Sequence, residues 1–309
     1  MKNYTGVNSI RGSTSYLPCS HKNKMLKIAA IGEVLWDLFT DTKTLGGAPA
    51  NFAHHCMRLG YKAHLLSAVG RDVLGEEALA ELSQYGLAKN IQKNAQPTGS
   101  VEVQLEFAGD ATYHFRPNSA WDNLVTTSQW REIATNSALL YFGSLAQRST
   151  KSRKCIREII EVASSNPNNI RFFDVNLRQN FYDLALITQS LRSANIVKLN
   201  DEEFRVLQNL LQLPSDRDLA LEALIRKFEL ELILLTSDSA GSFAFTKEGL
   251  CYFAKAVEVE VVDSVGAGDA YAAAFVCSRL DGLSIIAAME RASAYAAKIC
   301  QQKGAFVKY

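Results

Sequence analysis

The 309-residue chain balances 33 lysines and arginines against 32 aspartates and glutamates, so it has no net basic field with which to hold nucleic acid. Its residues are 48% hydrophobic and 21% charged, which suits one large domain with a substantial core, and no apolar run reaches the length of a membrane span. The six cysteines include no C-x-x-C pair, which predicts reduced thiols in a cytoplasmic protein and no zinc or disulfide framework.

The start of the chain is polar. Residues 1–24 lack the apolar central region of a secretory signal, so we expect a disordered N-terminal extension. A single domain is expected over residues 25–309. Its first strand is predicted at 26–31, and Asp37 follows soon after this strand. By itself, Asp37 is most simply interpreted as an exposed loop residue.

The next unit reads as loop, helix and strand. Gly46 and Gly47 mark a tight loop, a helix is predicted at 50–59, and a buried strand is predicted at 63–69. Asn51 projects from the start of this helix, beside glycines whose amides are exposed. An ordinary structural unit would have the same pattern, so this segment alone does not define a function.

A helix is predicted at 72–85, and after it comes a strand pair without a flanking helix. Residues 101–107 alternate strictly between apolar and polar side chains, and residues 111–115 provide the returning strand. We therefore expect the hairpin 101–116 to be a flap added to the domain.

From residue 138 strands alternate with helices. Such alternation predicts an α/β fold with a doubly wound, mainly parallel sheet flanked by helices. The strands are predicted at 138–142, 170–174, 195–199 and 231–236, and the helices at 150–165, 183–192, 201–211 and 217–229. A meander at 242–262, a helix that begins near Asp269 and a helix at 284–300 complete the chain.

Polar residues follow two of these strands, at the edge where ligands bind in such sheets. Asp174, Asn176 and Arg178 would lie on one side if the strand continued, and they could equally be a capping and salt-bridge cluster. Asn200 and Glu203 form a helix-capping pair, which needs no further function.

The most informative segment is 263–276, which follows the β-rich run 257–262. Gly266 and Gly268 lie before a helix of small residues, where free amides and the helix dipole favour an anion. Asp269 would face the same anion, and its expected role is to accept a proton from an attacking hydroxyl. The alternative is a helix start that serves packing alone.

Together, segments 46–70 and 263–276 resemble the two signature regions of the PfkB carbohydrate kinases, a family with the ribokinase-like fold. Two long patterns in the right order are far more specific than either alone. The resemblance runs from about Met25 to the C-terminus. Within the family, residues 32–37 and 46–51 are most similar to fructokinases.

The resemblance implies a fold and residue roles. It places a β lid at the hairpin and makes Asp269 the catalytic base, beside an anion hole formed by the amides of Gly266, Ala267 and Gly268. The implied sugar-binding residues are Asp37, Gly46, Gly47, Asn51 and Arg116. The residues implied near the nucleotide are Asn176, Arg178, Asn200, Thr236, Gly241 and Gly304. Glu203 would act on Mg²⁺ through water, and Asp263 would order a loop for a monovalent cation such as K⁺.

Two segments depart from the family pattern. Fructokinases have Arg-Asn-Pro-Ser-Ala where this chain has Arg-Pro-Asn-Ser-Ala at 116–120, which leaves the role of Arg116 open. The family has Thr-Leu-Gly where this chain has Thr-Ser-Asp at 236–238, so the adenine contacts are also open.

The expected function is transfer of the γ-phosphoryl group of ATP, with Mg²⁺, to a primary hydroxyl of a sugar, with D-fructose as the first candidate. Ribose, 2-keto-3-deoxygluconate and nucleosides are the alternatives within the fold. The alternative of another class is a catalytically idle sugar- or nucleotide-binding protein. Pairing of two lids in a homodimer is a further hypothesis.

Overall fold

The computed structural model describes residues 26–105 and 111–306. The strands of this part are β1 (Lys27–Ile31), β2 (Leu35–Leu38), β3 (Lys43–Gly46), β4 (Lys62–Gly70), β5 (Ile91–Asn94), β6 (Gly99–Leu105), β7 (Ala111–Phe115), β8 (Leu139–Gly143), β9 (Ile170–Asp174), β10 (Ile196–Asn200), β11 (Leu232–Ser237), β12 (Gly241–Thr246) and β13 (Cys251–Ala254). The helices are α1 (Ala48–Arg58), α2 (Val73–Gln84), α3 (Ser128–Thr135), α4 (Thr150–Ser164), α5 (Leu184–Ser193), α6 (Asp201–Leu211), α7 (Arg217–Phe228), α8 (Ala267–Leu280) and α9 (Ile285–Cys300). The predicted N-terminal extension at 1–24 lies outside the described residues.

The main sheet has nine strands in the order β13-β12-β11-β10-β9-β8-β1-β4-β5. All neighbours from β11 to β5 are parallel, and β12 alone runs antiparallel to its neighbours β11 and β13. The prediction of a doubly wound, mainly parallel sheet is therefore confirmed. The chain reverses its direction of winding between β1 and β8, which opens a crevice at their carboxyl ends.

Helices cover both faces of this sheet because the strands are apolar on both sides. In β1, for example, Ala29 and Ile31 belong to one core cluster and Ile28 and Ala30 to the other. The first cluster contains the buried faces of α3 to α7, and the second contains those of α1, α2, α8 and α9. None of the helices in the described ranges is long and apolar enough to cross a membrane.

A smaller sheet of four strands, in the order β3-β2-β6-β7, forms the lid. The predicted hairpin corresponds to β6 and β7, and the tip at 106–110 lies outside the described residues. The structure adds β2, which pairs in parallel with β6, and β3, which pairs antiparallel with β2. Asp37 was interpreted as a loop residue, which is wrong, because it lies within β2 opposite Thr44 and Val101.

Two segments with a strand-like pattern are not strands in the structure. Residues 257–262 are not a strand, although valine and glutamate alternate there, because the nine-stranded sheet ends at β13 and the Val262 amide donates instead to the Cys300 carbonyl oxygen at 2.8 Å. Val257, Val261 and Val262 are exposed. The strand before Asn176 also does not continue, since β9 ends at Asp174 and Asn176 has φ 39°.

Candidate active site

Two helices, α1 and α8, begin side by side at the carboxyl edge of the sheet. The Asn51 side-chain amide on α1 donates a hydrogen bond to Oδ2 of Asp269 on α8, at 2.8 Å. The two residues are 218 positions apart in the chain. The structure therefore brings together the two segments that carried the sequence prediction.

The turn before α8 requires glycine. Gly266 has φ 78°, and a Cβ there would lie 2.5 Å from Cβ of Ala305. The Ala267 amide donates to the Ser264 carbonyl at 3.2 Å, whereas the amides of Gly266 and Gly268 have no acceptor within the described residues. These two amides, at the positive end of α8, can bind an anion.

Asp269 combines a cleft position with an unusual acidity. Burial raises the pKa of its carboxyl to about 7, and the neighbouring Asp174 carboxylate adds to this rise. The hydrogen bond from Asn51 and the charges of Lys198 and Arg178 oppose it. The side chain is half-buried, so a ligand in the cleft can reach it. A carboxylate with a pKa near the working pH is well suited to general base catalysis.

A charged network under the site was missed by the sequence analysis. Lys198 Nζ donates to both oxygens of Asp174 at 3.1 Å, and the Tyr141 hydroxyl donates to Asp174 Oδ2 at 3.1 Å. Burial alone would lower the pKa of Lys198, but the carboxylates around it raise the pKa above its usual value. The one available signal was a lysine inside the apolar strand β10, since a buried ammonium needs a partner.

The lid side of the cleft holds the predicted sugar-binding residues. Burial raises the pKa of Asp37 to about 6, and the charge of Arg178 lowers it. A Cβ at Gly46 would lie 3.0 Å from Asp37 Oδ2, so this glycine leaves space at the carboxylate. Gly47 has φ 112°, and a Cβ there would lie 2.5 Å from the Glu33 carbonyl oxygen.

Glu33 is a second residue that the sequence analysis missed. It follows β1 and is buried, and its Oε1 accepts a hydrogen bond from the Ala48 amide at the start of α1, at 3.2 Å. Burial raises the pKa of its carboxyl. Its Oε2 has no hydrogen-bond partner among the described residues. A single glutamate between two strands carries no distinctive spacing that would have marked it.

The predicted nucleotide side lies at the ends of β9, β10 and β11. Asn200 and Glu203 form the predicted capping pair, with bonds of 2.8 and 2.9 Å, and Glu203 also accepts from the Leu177 amide at 3.0 Å. The Thr236 hydroxyl donates a hydrogen bond to the Leu199 carbonyl oxygen, at 3.5 Å. Gly241 has φ 118°, and a Cβ there would meet the carbonyl oxygen of the β13 strand end at 2.3 Å.

Asp263 and Gly304 meet at the back of the anion hole. Asp263 Oδ2 accepts from the Gly304 amide at 2.9 Å, and its Oδ1 accepts from the Val265 amide at 2.9 Å. The C-terminal segment is therefore tied to the loop that precedes α8.

The two predicted arginines are exposed. The positive charge of Arg178 lowers the pKa of both Asp37 and Asp269. Arg116 follows β7, and its carbonyl oxygen accepts a hydrogen bond from Arg148 at 2.6 Å.

The sequence matches the profile of the pfkB family carbohydrate kinases over residues 23–307, and the chain therefore belongs to this family. It is 30% identical to a fructokinase of Escherichia coli over 273 residues, which are 84% of each chain. It is 27% identical to a 5-dehydro-2-deoxygluconokinase of Clostridium beijerinckii over 278 residues, 87% of this chain and 82% of the relative. The crystal structure of an uncharacterized sugar kinase of Pyrococcus horikoshii in complex with ATP matches with a TM-score of 0.77 at 28% identity, covering 90% of this chain and 94% of that one.

A substitution at Gly266 tests the anion hole. Gly266→Ala should lower the melting temperature and the kcat, because alanine is strained at φ 78° and its Cβ would meet Ala305. Gly282→Ala is the matched control, since Gly282 has φ 85° with no atom within 4 Å. The control should lose stability by strain alone and keep its kcat. Equal kcat values in the two variants would contradict the assignment.

The acidity of Asp269 should appear in the pH profile. Because its raised pKa keeps the carboxyl protonated under acidic conditions, kcat/KM should fall as the pH drops through about 7. Asn51→Leu removes a hydrogen bond that lowers this pKa, so the acidic limb should move to higher pH. The nucleotide has the same ionisation in assays of the wild type and of the variant. The difference between the two pH profiles therefore reports the titration of Asp269. An unmoved limb would contradict this assignment.

Proposed function

We propose that this ATP-dependent sugar kinase phosphorylates the primary hydroxyl of D-fructose to give fructose 6-phosphate. The observation that carries the proposal is the bond between Asn51 and Asp269, because it holds a base of near-neutral pKa beside two free amides at a helix start. A proton acceptor and an anion site at this spacing suit the attack of a hydroxyl on a phosphoryl group.

In this mechanism the protein positions groups and stabilises charge. The sugar hydroxyl lies against Asp269, whose carboxylate accepts the proton as the new O–P bond forms. The amides of Gly266 and Gly268 stabilise the negative charge on the transferred group. Arg178 neutralises charge on the open side of the cleft. The four-stranded lid excludes water, which limits wasteful hydrolysis of ATP.

The cation sites belong to the same proposal. Magnesium prefers oxygen ligands and keeps several waters. Each Glu203 oxygen accepts one backbone hydrogen bond, so each keeps a lone pair for a metal-bound water, and this donor set fits the ion. Bound Mg²⁺ would neutralise charge on the phosphates. Asp263 orders the loop at which a monovalent cation would bind, through its bonds to Val265 and Gly304.

The neutral sugar is favoured by Asp37. Its carboxylate is half-buried beside Gly46 and can accept hydrogen bonds from two neighbouring hydroxyls, whereas it would repel the carboxylate of a sugar acid. The competing candidate is a keto-deoxy sugar acid, which Arg178 favours because its guanidinium lies near Asp37 and could pair with a substrate carboxylate.

The test is ADP release from MgATP with fructose, ribose, 2-keto-3-deoxygluconate, 5-dehydro-2-deoxygluconate, adenosine or water alone. We expect turnover with fructose to exceed that with every other acceptor. Preference for a sugar acid would keep the chemistry and overturn the substrate. ATP binding without turnover of any acceptor would instead support an idle binding protein.

Removing the base tests the chemical step. Asp269→Asn should bind sugar and MgATP with nearly unchanged affinity and lose most of its kcat, because asparagine cannot accept the proton. The variant should melt at a temperature no lower than that of the wild type, since the buried carboxylate is itself poorly solvated. Substrate affinities from calorimetry and kcat from ADP release check this. A kcat near that of the wild type would remove Asp269 from the role of base.

Asp37 tests the choice of substrate. Asp37→Asn should lower kcat/KM for fructose about 10- to 100-fold, the usual loss with one charge-assisted hydrogen bond. The same change should raise the ratio of sugar-acid to fructose turnover, because a repulsive charge is gone. Asp41→Asn, on the exposed turn between β2 and β3 of the lid, is the control and should change neither quantity. A similar loss in both variants would contradict a direct contact of Asp37 with the sugar.

A further inference from the structure

The ion pair between Lys198 and Asp174 is almost completely withdrawn from water. Their side chains are 8% and 1% exposed. Burial of two charges is costly, and well-packed apolar residues often stabilise such a position equally well. Since β10 is otherwise apolar in its interior, with Val197 and Leu199 flanking the lysine, packing alone gives no reason for an ammonium here.

The ammonium lies directly under the start of α8. A Cβ built on Gly268 would be 3.4 Å from Lys198 Nζ and 3.9 Å from its Cε. Gly268 supplies one of the free amides and precedes Asp269. Because glycine has no side chain, no atom of residue 268 separates the ammonium from the backbone of the anion hole. The positive charge therefore acts on the bound group at short range.

The hydrogen bonds of Lys198 hold its ammonium group in place and leave one of its hydrogens without an acceptor among the described residues. An ammonium has three hydrogens, and Lys198 directs two bonds to the oxygens of Asp174. It has no further acceptor within the described residues. Asp174 is itself fixed by the hydroxyl of Tyr141, at the neighbouring strand β8. Three adjacent strands thus orient one cation toward the helix start.

Other charged groups also face this point. The pKa of Asp269 is raised by the charge of Asp174 on β9, and it is lowered by the charges of Lys198 on β10 and Arg178 in the loop after β9. Tyr141, Glu203 and Glu33 complete the set, from β8, α6 and the segment after β1, respectively. Among these groups, Lys198 is the cation that lies under the backbone, on the side away from solvent.

We propose that Lys198, oriented by Asp174 and Tyr141, supplies a fixed positive charge beneath Gly268 that stabilises the negative charge developing on the transferred phosphoryl group. This inference rests on the proposed function, and it adds Lys198 to the groups that accelerate the phosphoryl transfer. Lys198 acts electrostatically from beneath the backbone of α8, without touching the transferred group, and Asp174 and Tyr141 are the residues that position it. A preorganised charge of this kind costs no rearrangement during the reaction.

The test compares Lys198→Met with the double variant Lys198→Met/Asp174→Asn. The single variant should lose roughly 100- to 1,000-fold in kcat, the usual cost of removing one donor from an anion hole, with KM values changed much less. It leaves Asp174 without its cation, so its stability should also fall. The double variant leaves no unpaired charge at positions 174 and 198, and its melting temperature should recover while its kcat stays low. If the single variant does not fold, the double variant carries the test.

Two further readouts separate an electrostatic role from a structural one. Lys198→Met should shift the acidic limb of kcat/KM to higher pH, since the lysine lowers the pKa of Asp269, and Asp174→Asn should shift it to lower pH. Binding of MgADP with aluminium fluoride, which imitates the transferred group, should weaken in both Lys198 variants while binding of MgADP alone is unchanged. Lys93→Met/Glu76→Gln, which removes an exposed ion pair, is the matched control and should change none of these quantities.

The outcomes distinguish this inference from the proposed function. A wild-type enzyme that phosphorylates a sugar, together with a double variant of unchanged kcat and aluminium fluoride affinity, would overturn the role of Lys198 alone. A wild-type protein that turns over no acceptor would overturn the proposed function. In that case, the aluminium fluoride titration still decides whether Lys198 supports a bound phosphoryl-like anion.

Discussion

The hydrogen bond between Asn51 and Asp269 is the contact on which the site depends. It joins the starts of α1 and α8, and both helices pack their apolar sides into the same core cluster beneath the sheet. The packing fixes where the helices begin, and the bond fixes how the carboxylate points. A carboxylate held in this way needs no rearrangement before it meets a ligand in the cleft.

The site concentrates charged side chains where they are largely buried from water. Burial raises the pKa of Asp269, Glu33 and Glu203, so each of these carboxylates destabilises the folded chain when it is ionised. Lys198 and Arg178 offset part of this cost. Such an unfavourable cluster of charges is expected where chemistry and not packing has determined the residues. The large apolar core on both faces of the sheet offsets its cost to stability.

The sequence predicted the main sheet well because the pattern there is local. Buried parallel strands appear as short apolar runs, and amphipathic helices between them have the period of 3.6 residues. It failed where a partner outside the segment decided the outcome. Residues 257–262 alternate like a strand and yet pair with no strand of the described sheets, whereas β2 and β3 form because β6 offers β2 an edge. Pairing of this kind depends on the whole topology.

For the site, the sequence by itself predicted the glycines, Asn51 and Asp269, because the two segments that contain them resemble the signature regions of the family, and a left-handed turn such as the one at Gly266 admits few residues other than glycine. Only the tertiary structure decided that Lys198 and Glu33 belong to the same site as Asp174. Their residue types carry no spacing signal, since each lies at a different strand and acts through space. Charges interact over several ångströms in a medium of low dielectric constant, whatever their separation along the chain, and only the folded sheet sets that distance.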